Sequence, residues 1–360
     1  MKAINIVCDY SSVYSGNFIP SIFKLTTFLK KNNRVIISLP DRAENRFWST
    51  YLKEQGIDLF FFDNSSASKI IKTIKRINKH NNVDIVYTHF ISTPAAKLLA
   101  GLSKKRRLII HIHSDFSCGQ TSKGIKARIK KLLFEKIIRR DAKFIYVSDS
   151  MKRVEKLNNS YYVQNALCTD RIVSPECKTT ILDTKKINIL AFAWSPEVKG
   201  IDITCKAFFD VKEEYKNKAI LNIVVNENEK KKCIDFIKVK TGINLENQEN
   251  ITLLEPQEDI FSLYKQSDIF ISSSRSEGFS YSILEALYFG LNVCSSNIDG
   301  TKWSKEFGAL LFNLDNIDEL TNLVEKCIKK GRKDQFNRLE IVQKFSIQKW
   351  IKNVSDILLN

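Results

Sequence analysis

The sequence predicts an α/β protein made of two doubly wound units, each a parallel sheet covered by helices. Three observations predict it. The chain has 360 residues, more than one ordinary core supports, so two domains of roughly 150 residues or more are expected. Each half alternates short, continuously apolar runs with stretches of helical length, which is the pattern of strands buried on both faces. Between the halves, residues 164–186 lose periodicity and carry Asn165, Pro175 and Lys178-Thr179-Thr180, which read as a linker.

In chain order, the runs Ile4–Cys8, Arg34–Leu39, Asp58–Phe62, Asp84–Thr88, Leu108–His113 and Lys143–Ser148 are the expected strands of the first half. Ile187–Ala193, Ala219–Val225, Ile251–Leu254, Asp268–Ser272, Leu291–Ser295 and Ala309–Phe312 repeat the rhythm in the second. The expected domains are residues 1–166 and 167–344, with a final helix in 345–360 crossing back to the first. Such pairs of units bind ligands in the cleft between them, at the carboxyl ends of the strands.

Composition narrows the function. With 43% apolar and 27% charged residues, the chain is neither disordered nor low in complexity. No run approaches the ~20 apolar residues of a membrane helix. The N-terminal run is broken at Asn5 and Asp9 and reads as a strand, not a signal peptide. Eight scattered cysteines without a C-x-x-C pair fit a reduced compartment, so a cytoplasmic location is expected. No G-x-G-x-x-G or P-loop pattern occurs, against dinucleotide enzymes and P-loop NTPases. No Asp-x-Asp triplet is present to hold a nucleotide through a divalent metal, and no histidine has a cysteine at ligand spacing. No metal or other cofactor is therefore expected.

The charge is uneven. Residues 1–165 hold 30 Lys and Arg against 12 Asp and Glu, whereas residues 166–360 hold 27 against 28. This asymmetry suggests that the first half faces an anionic partner. No RNA-binding motif or aromatic-basic platform is visible, so nucleic acid is not expected. In residues 123–140, Ile125, Ile129, Leu132, Leu133 and Ile137 fall on one helical face with Lys and Arg around the other. Such a helix packs on a sheet, and its basic side can rest on anionic lipid, together with Lys104-Lys105-Arg106-Arg107.

The most informative stretch is Ser272–Gly290. It runs from a strand end through a serine-rich loop and Gly278 into a helix that Gly290 can stop. A helix start at the carboxyl end of a parallel strand offers unpaired N–H groups and a positive dipole end, suited to phosphate. Glu277 and Glu285 would be about 12 Å apart along an ideal helix. That exceeds the ~5 to 5.5 Å of a retaining glycosidase pair, so separate roles on one extended ligand suit them better.

Glu277-Gly278-Phe279-Ser280-Tyr281-Ser282-Ile283-Leu284-Glu285-Ala286 resembles the E-x7-E motif of the family 4 retaining glycosyltransferases with the GT-B fold. Lys199-Gly200, after the first strand of the second half, resembles that family's phosphate-binding Lys-Gly. Ser15-Gly16-Asn17 and Val163-Gln164-Asn165-Ala166 stand where the family has its first glycine loop and its interdomain Asn-Gly. Departures are Trp194 where the family often has Arg, Ala166 for Gly and Asn292 for Pro.

The resemblance implies a retaining, metal-independent transfer of a sugar from a nucleotide-sugar, most commonly a UDP-sugar. Glu285 would accept hydrogen bonds from the ribose diol. Glu277, with the backbone N–H groups of Gly278 and Phe279, would hold hydroxyls of the transferred sugar. Lys199 would stabilise charge on the departing diphosphate, Gly16 would let backbone approach the phosphates, and Arg275 could compensate for the missing Arg at Trp194. His113 matches the family's histidine near the reaction centre. With the basic first half, the resemblance suggests a lipid-linked saccharide acceptor in bacterial surface-polysaccharide assembly, at the inner membrane face. A GT-B epimerase or hydrolase, or a non-catalytic basic binding protein, are the alternatives.

Overall fold

The computed structural model describes residues 1–91, 106–113, 142–148, 159–314, 316–331 and 338–360. The chain forms two compact units, residues 1–174 with 345–360, and residues 175–344.

The first unit holds a seven-stranded parallel sheet: β1 (Ala3–Cys8), β2 (Arg34–Pro40), β3 (Asp58–Phe62), β4 (Ile85–His89), β5 (Arg107–Ile112), β6 (Ala142–Tyr146) and β7 (Ser160–Tyr162). Their spatial order is β3-β2-β1-β4-β5-β6-β7. The apolar runs form strands because both faces are covered: Ile4, Ile6, Val7 and Cys8 of β1 are all essentially inaccessible. One buried polar pair crosses this core. Asn5 donates to Asn78 (2.7 Å) and accepts from the Ser38 hydroxyl (2.9 Å), so both ends of the Asn5 amide are satisfied at the centre of the sheet.

The second unit repeats the plan with β8 (Ile187–Phe192), β9 (Ala219–Val224), β10 (Ile251–Leu254), β11 (Ile269–Ser272), β12 (Asn292–Ser296) and β13 (Leu310–Phe312), again all parallel. Their order is β10-β9-β8-β11-β12-β13. In both sheets the winding reverses beside the first strand, between β1 and β4 and between β8 and β11. Loops leaving the carboxyl ends of those two strands diverge, opening a crevice at each switch point.

The units divide at Ser174, later than the expected residue 166. The reason is a set of hydrogen bonds that keeps residues 166–172 on the first unit. Asn17 donates to the Ala166 carbonyl (2.7 Å) and accepts from the Cys168 N–H (2.8 Å), and the Ser15 hydroxyl donates to the Ile172 carbonyl (3.0 Å). The C-terminal helix Ile347–Leu359 belongs to the same unit. It buries Trp350, Val354 and Leu358 in the first core, and Lys2, Arg107 and Lys143 donate to the carbonyls of Leu359, Leu358 and Ile357. Three cations thus satisfy the last turn of a helix, where carbonyls are unpaired and the dipole is negative. Part of the positive excess of the first half is spent here. Arg106 donates to the Val83 carbonyl (2.8 Å), so neither Arg106 nor Arg107 is a free member of the expected basic patch. Lys104, Lys105 and residues 123–140 lie outside the described residues.

Candidate active site

In the second unit the switch point is built from two loops. After β8 the chain runs through Ala193, Trp194 and Ser195 into a single helical turn, Pro196–Lys199, and then the helix Ile201–Phe209. Between them Gly200 adopts φ +60°, and a Cβ there would lie 2.1 Å from the Ser273 carbonyl oxygen. Only glycine allows this close crossing of the two loops. After β11, Ser273 binds back: its hydroxyl meets Thr204 (2.6 Å) and the Gly200 carbonyl (2.6 Å).

These loops bring Lys199 and Glu277 into a direct ion pair. Their side chains are 23% and 13% exposed, so water screens them far less than a surface pair. The Ser274 hydroxyl donates to the same Glu277 oxygen (2.9 Å). From beneath, the loop after β12 presses on this residue: a Cβ on Gly300 would lie 2.0 Å from the Glu277 carbonyl. Gly278 follows, and Phe279 stacks its ring on Trp303 (4.8 Å, 8°), which fixes the turn into the helix Tyr281–Tyr288.

One expected role changes. Arg275 does not stand ready for phosphate: it donates through both terminal nitrogens to Asp202 (2.9 and 2.7 Å) and to the Glu197 carbonyl (2.7 Å). A bidentate pair of this kind fixes geometry, and here it locks the β11 loop to the β8 loop. Glu285, on the helix Tyr281–Tyr288, is only 6% exposed, so it is packed into the wall beside these loops. Trp194 exposes 38% of its surface beside Phe192 at the strand ends. Sequence reasoning missed Asp202, Ser273 and Gly300; the serine run hinted at the second, while the others matter only through contacts across the fold.

In the first unit, Gly16 (φ +56°) lies in the loop after β1, where the Tyr10 hydroxyl donates to the Tyr14 carbonyl (2.9 Å). At the ends of β4 and β5, His113 joins His89 and His111, with one ring nitrogen of each within 4.8 Å of the others. Linear spacing gave no sign of this cluster, because β4 and β5 supply it together: His89 and His111 are register partners. Burial pushes His89 and His111 well below the usual imidazole range and His113 down to about 3. All three are neutral at pH 7. The rings of His111 and His113 stack at 12° with centroids 4.4 Å apart, so their in-plane lone pairs do not converge on one point, a poor arrangement for a common metal ion.

Residues 178–339 match the family model of glycosyl transferases group 1, and residues 40–154 match that of glycosyltransferase family 4. The chain is a family-4-like glycosyltransferase of GT-B type. No curated protein sequence matches it. Solved glycosyltransferase structures share the fold across the whole chain. HepE from Anabaena, in complex with UDP-glucose, superposes with a TM-score of 0.74 at 15% identity, covering 99% of each chain. The sucrose-phosphate synthase of Thermosynechococcus elongatus gives 0.76 at 12% identity, covering 99% of this chain and 98% of its own. WaaG, a glycosyltransferase involved in lipopolysaccharide biosynthesis, gives 0.65 at 10% identity over the full length of both. Of the residues expected from the sequence, Lys199, Arg275 and Glu277 stand together at the switch point of the second unit, while Gly16 and His113 belong to the first unit.

Proposed function

We propose that the protein is a retaining, metal-independent glycosyltransferase that uses a UDP-sugar and extends a lipid-linked saccharide for a bacterial surface polysaccharide. The observation that carries this reading is the Lys199–Glu277 pair, held at the switch point with the Glu285 helix behind it. The solved relative HepE holds UDP-glucose, and WaaG acts in lipopolysaccharide biosynthesis, which supports the donor and acceptor classes.

The roles follow from charge and geometry. A diphosphate arriving at the strand ends competes with Glu277 for the Lys199 ammonium. Lys199 then stabilises the charge that grows as the diphosphate leaves, in a site where a preorganised cation is most effective. Glu277, kept in place by Ser274, turns its carboxylate to hydroxyls of the sugar, while the N–H groups of Gly278 and Phe279 assist. Glu285 accepts from the ribose hydroxyls. Gly16 allows backbone to approach the phosphates, and His113 contacts the transferred sugar. No step needs a metal, since Lys199 supplies the positive charge and the sequence lacks an Asp-x-Asp triplet. The basic segment 123–140 holds the enzyme at anionic lipid on the inner membrane face, where a lipid-linked acceptor is found.

The experiment that tests this reading is a panel of nucleotide-sugars scored by thermal stabilisation, because a ligand of the native state alone raises the melting temperature by mass action. A UDP-sugar should stabilise the protein in the presence of chelator. Transfer with that donor should give a product with the donor's anomeric configuration. No stabilisation by any nucleotide-sugar, or an inverted product, would overturn the reading.

A further inference from the structure

His113 does not stand alone. Its Nε2 lies 2.9 Å from Nδ1 of His89, a single hydrogen bond between two imidazoles that are neutral at pH 7. One proton occupies that gap, so one ring donates and the other accepts. The remaining nitrogen of His89 decides which. Its Nε2 is buried and has no hydrogen-bond partner among the described residues. Were His113 the donor, His89 would carry its own proton on Nε2, leaving a buried N–H unsatisfied, which folded proteins rarely tolerate. An unpaired lone pair is the milder defect. The proton therefore sits on Nδ1 of His89, His113 accepts at Nε2, and His113 keeps its own proton on Nδ1.

The neighbouring pair obeys the same logic. His111 has a buried Nε2 with no partner among the described residues, and its Nδ1 lies 2.6 Å from the Tyr87 hydroxyl. The ring of His113 is also fixed in direction, since Phe90 stacks on it (4.2 Å, 25°) and Phe18 meets it edge-on (5.9 Å, 89°). Phe90 holds φ +57°, a conformation bulky residues rarely adopt, so the stack is kept at the cost of backbone strain.

We infer that His89 is a positioning residue that holds His113 as the Nδ1–H tautomer, so that His113 offers a donor, not an acceptor, to an oxygen of the transferred sugar. The identity of that oxygen rests on the glycosyl-transfer reading; the tautomer does not. A donor there would hold the sugar in the orientation that transfer needs while charge moves to the leaving diphosphate, whereas the other tautomer would offer only a lone pair.

The test labels histidine with 15N in the full chain, without nucleotide, at neutral pH. Only His80, His89, His111 and His113 contribute, so single variants assign each ring. Two-bond nitrogen–proton correlations should show His113 protonated on Nδ1 and His89 on Nδ1. Protonation of His113 on Nε2 in the unaltered protein would overturn the inference outright, with no variant needed. His89→Leu should shift His113 toward the Nε2–H form, and His89→Asn, which keeps an N–H near the old Nδ1, should restore Nδ1–H. An unchanged tautomer in His89→Leu would remove His89 from the positioning role. In turnover, His89→Leu should lower kcat by roughly tenfold or more with little change in donor KM, and His89→Asn should recover most of it. Equal losses in both variants, or none in either, would refute the functional half. If no sugar transfer exists at all, the donor panel fails while the tautomer measurement still decides its own question.

Discussion

Lys199 and Glu277 neutralise each other in the ligand-free site, and this sets what their substitutions should do. Lys199→Ala removes the cation expected on the leaving diphosphate and also strands a carboxylate that is only 13% exposed. Turnover should fall by about 10²–10³, the range for loss of one preorganised charge donor. Glu277→Gln keeps the shape and should depress kcat more than donor affinity; equal loss in both, measured by steady-state kinetics and donor titration, would mark it as a ground-state contact only. Because Glu285 is buried, Glu285→Ala would empty packed volume as well as remove an acceptor, so Glu285→Gln is the cleaner probe of ribose binding. At this scale the sequence showed much. The two glutamates and Lys199-Gly200 were legible because their spacing is local. His89, Asp202 and Gly300 were not, since each acts on a residue far along the chain.

Among the elements, the strands were legible because each is a continuous apolar run that only a doubly covered sheet can bury. The edge strand β7, Ser160–Tyr162, escaped, being three residues long and largely exposed. The strand order was also beyond the sequence: nothing in the runs says that β11 lies beside β8, yet that adjacency makes Gly200 cross Ser273. Gly200→Ala should therefore act through two elements. It sets an alanine at φ +60° and drives a methyl within 2.1 Å of a backbone oxygen, so the loops must part. The expected cost is about 2 kcal/mol or more, read as a lower urea midpoint, with weaker donor binding. Wild-type stability together with wild-type donor affinity would show that this crossing does not shape the site.

Across the whole molecule, the histidine cluster gives stability a defined pH dependence. Burial holds His89, His111 and His113 below the ordinary imidazole value of about 6.5, so the unfolded chain binds protons that the native state does not. Stability from these groups is complete above that value and is lost as pH falls below it, down toward the native value of about 3 for His113. Each unit of pH below 6.5 should cost about 1.4 kcal/mol per histidine that stays neutral in the native state. Urea midpoints at pH 7.5 and 5.5 check this, and a flat or rising stability toward pH 5.5 would contradict it. The domain plan was legible from the loss of periodicity, but its boundary was not, because Asn17 and Ser15 reach across to hold residues 166–172.

The charge asymmetry belongs to this scale too. With Lys2, Arg107 and Lys143 engaged at the C-terminal helix, the proposed lipid binding would fall to the basic sequence of segment 123–140. Replacing Lys126, Lys130, Arg139 and Arg140 by Gln should release the protein from anionic vesicles while donor binding persists. Sedimentation that ignores lipid charge would send the search for an acceptor to soluble saccharides.

On the proposed function, the β8–β11 switch point binds a nucleoside diphosphate without a metal. Calorimetric titration of UDP into the protein, with excess chelator present, tests it most directly. Saturable binding at one site is expected, weakened by Glu285→Gln and by Lys199→Ala. Absence of binding, binding that requires added manganese or magnesium, or binding indifferent to both substitutions would contradict it.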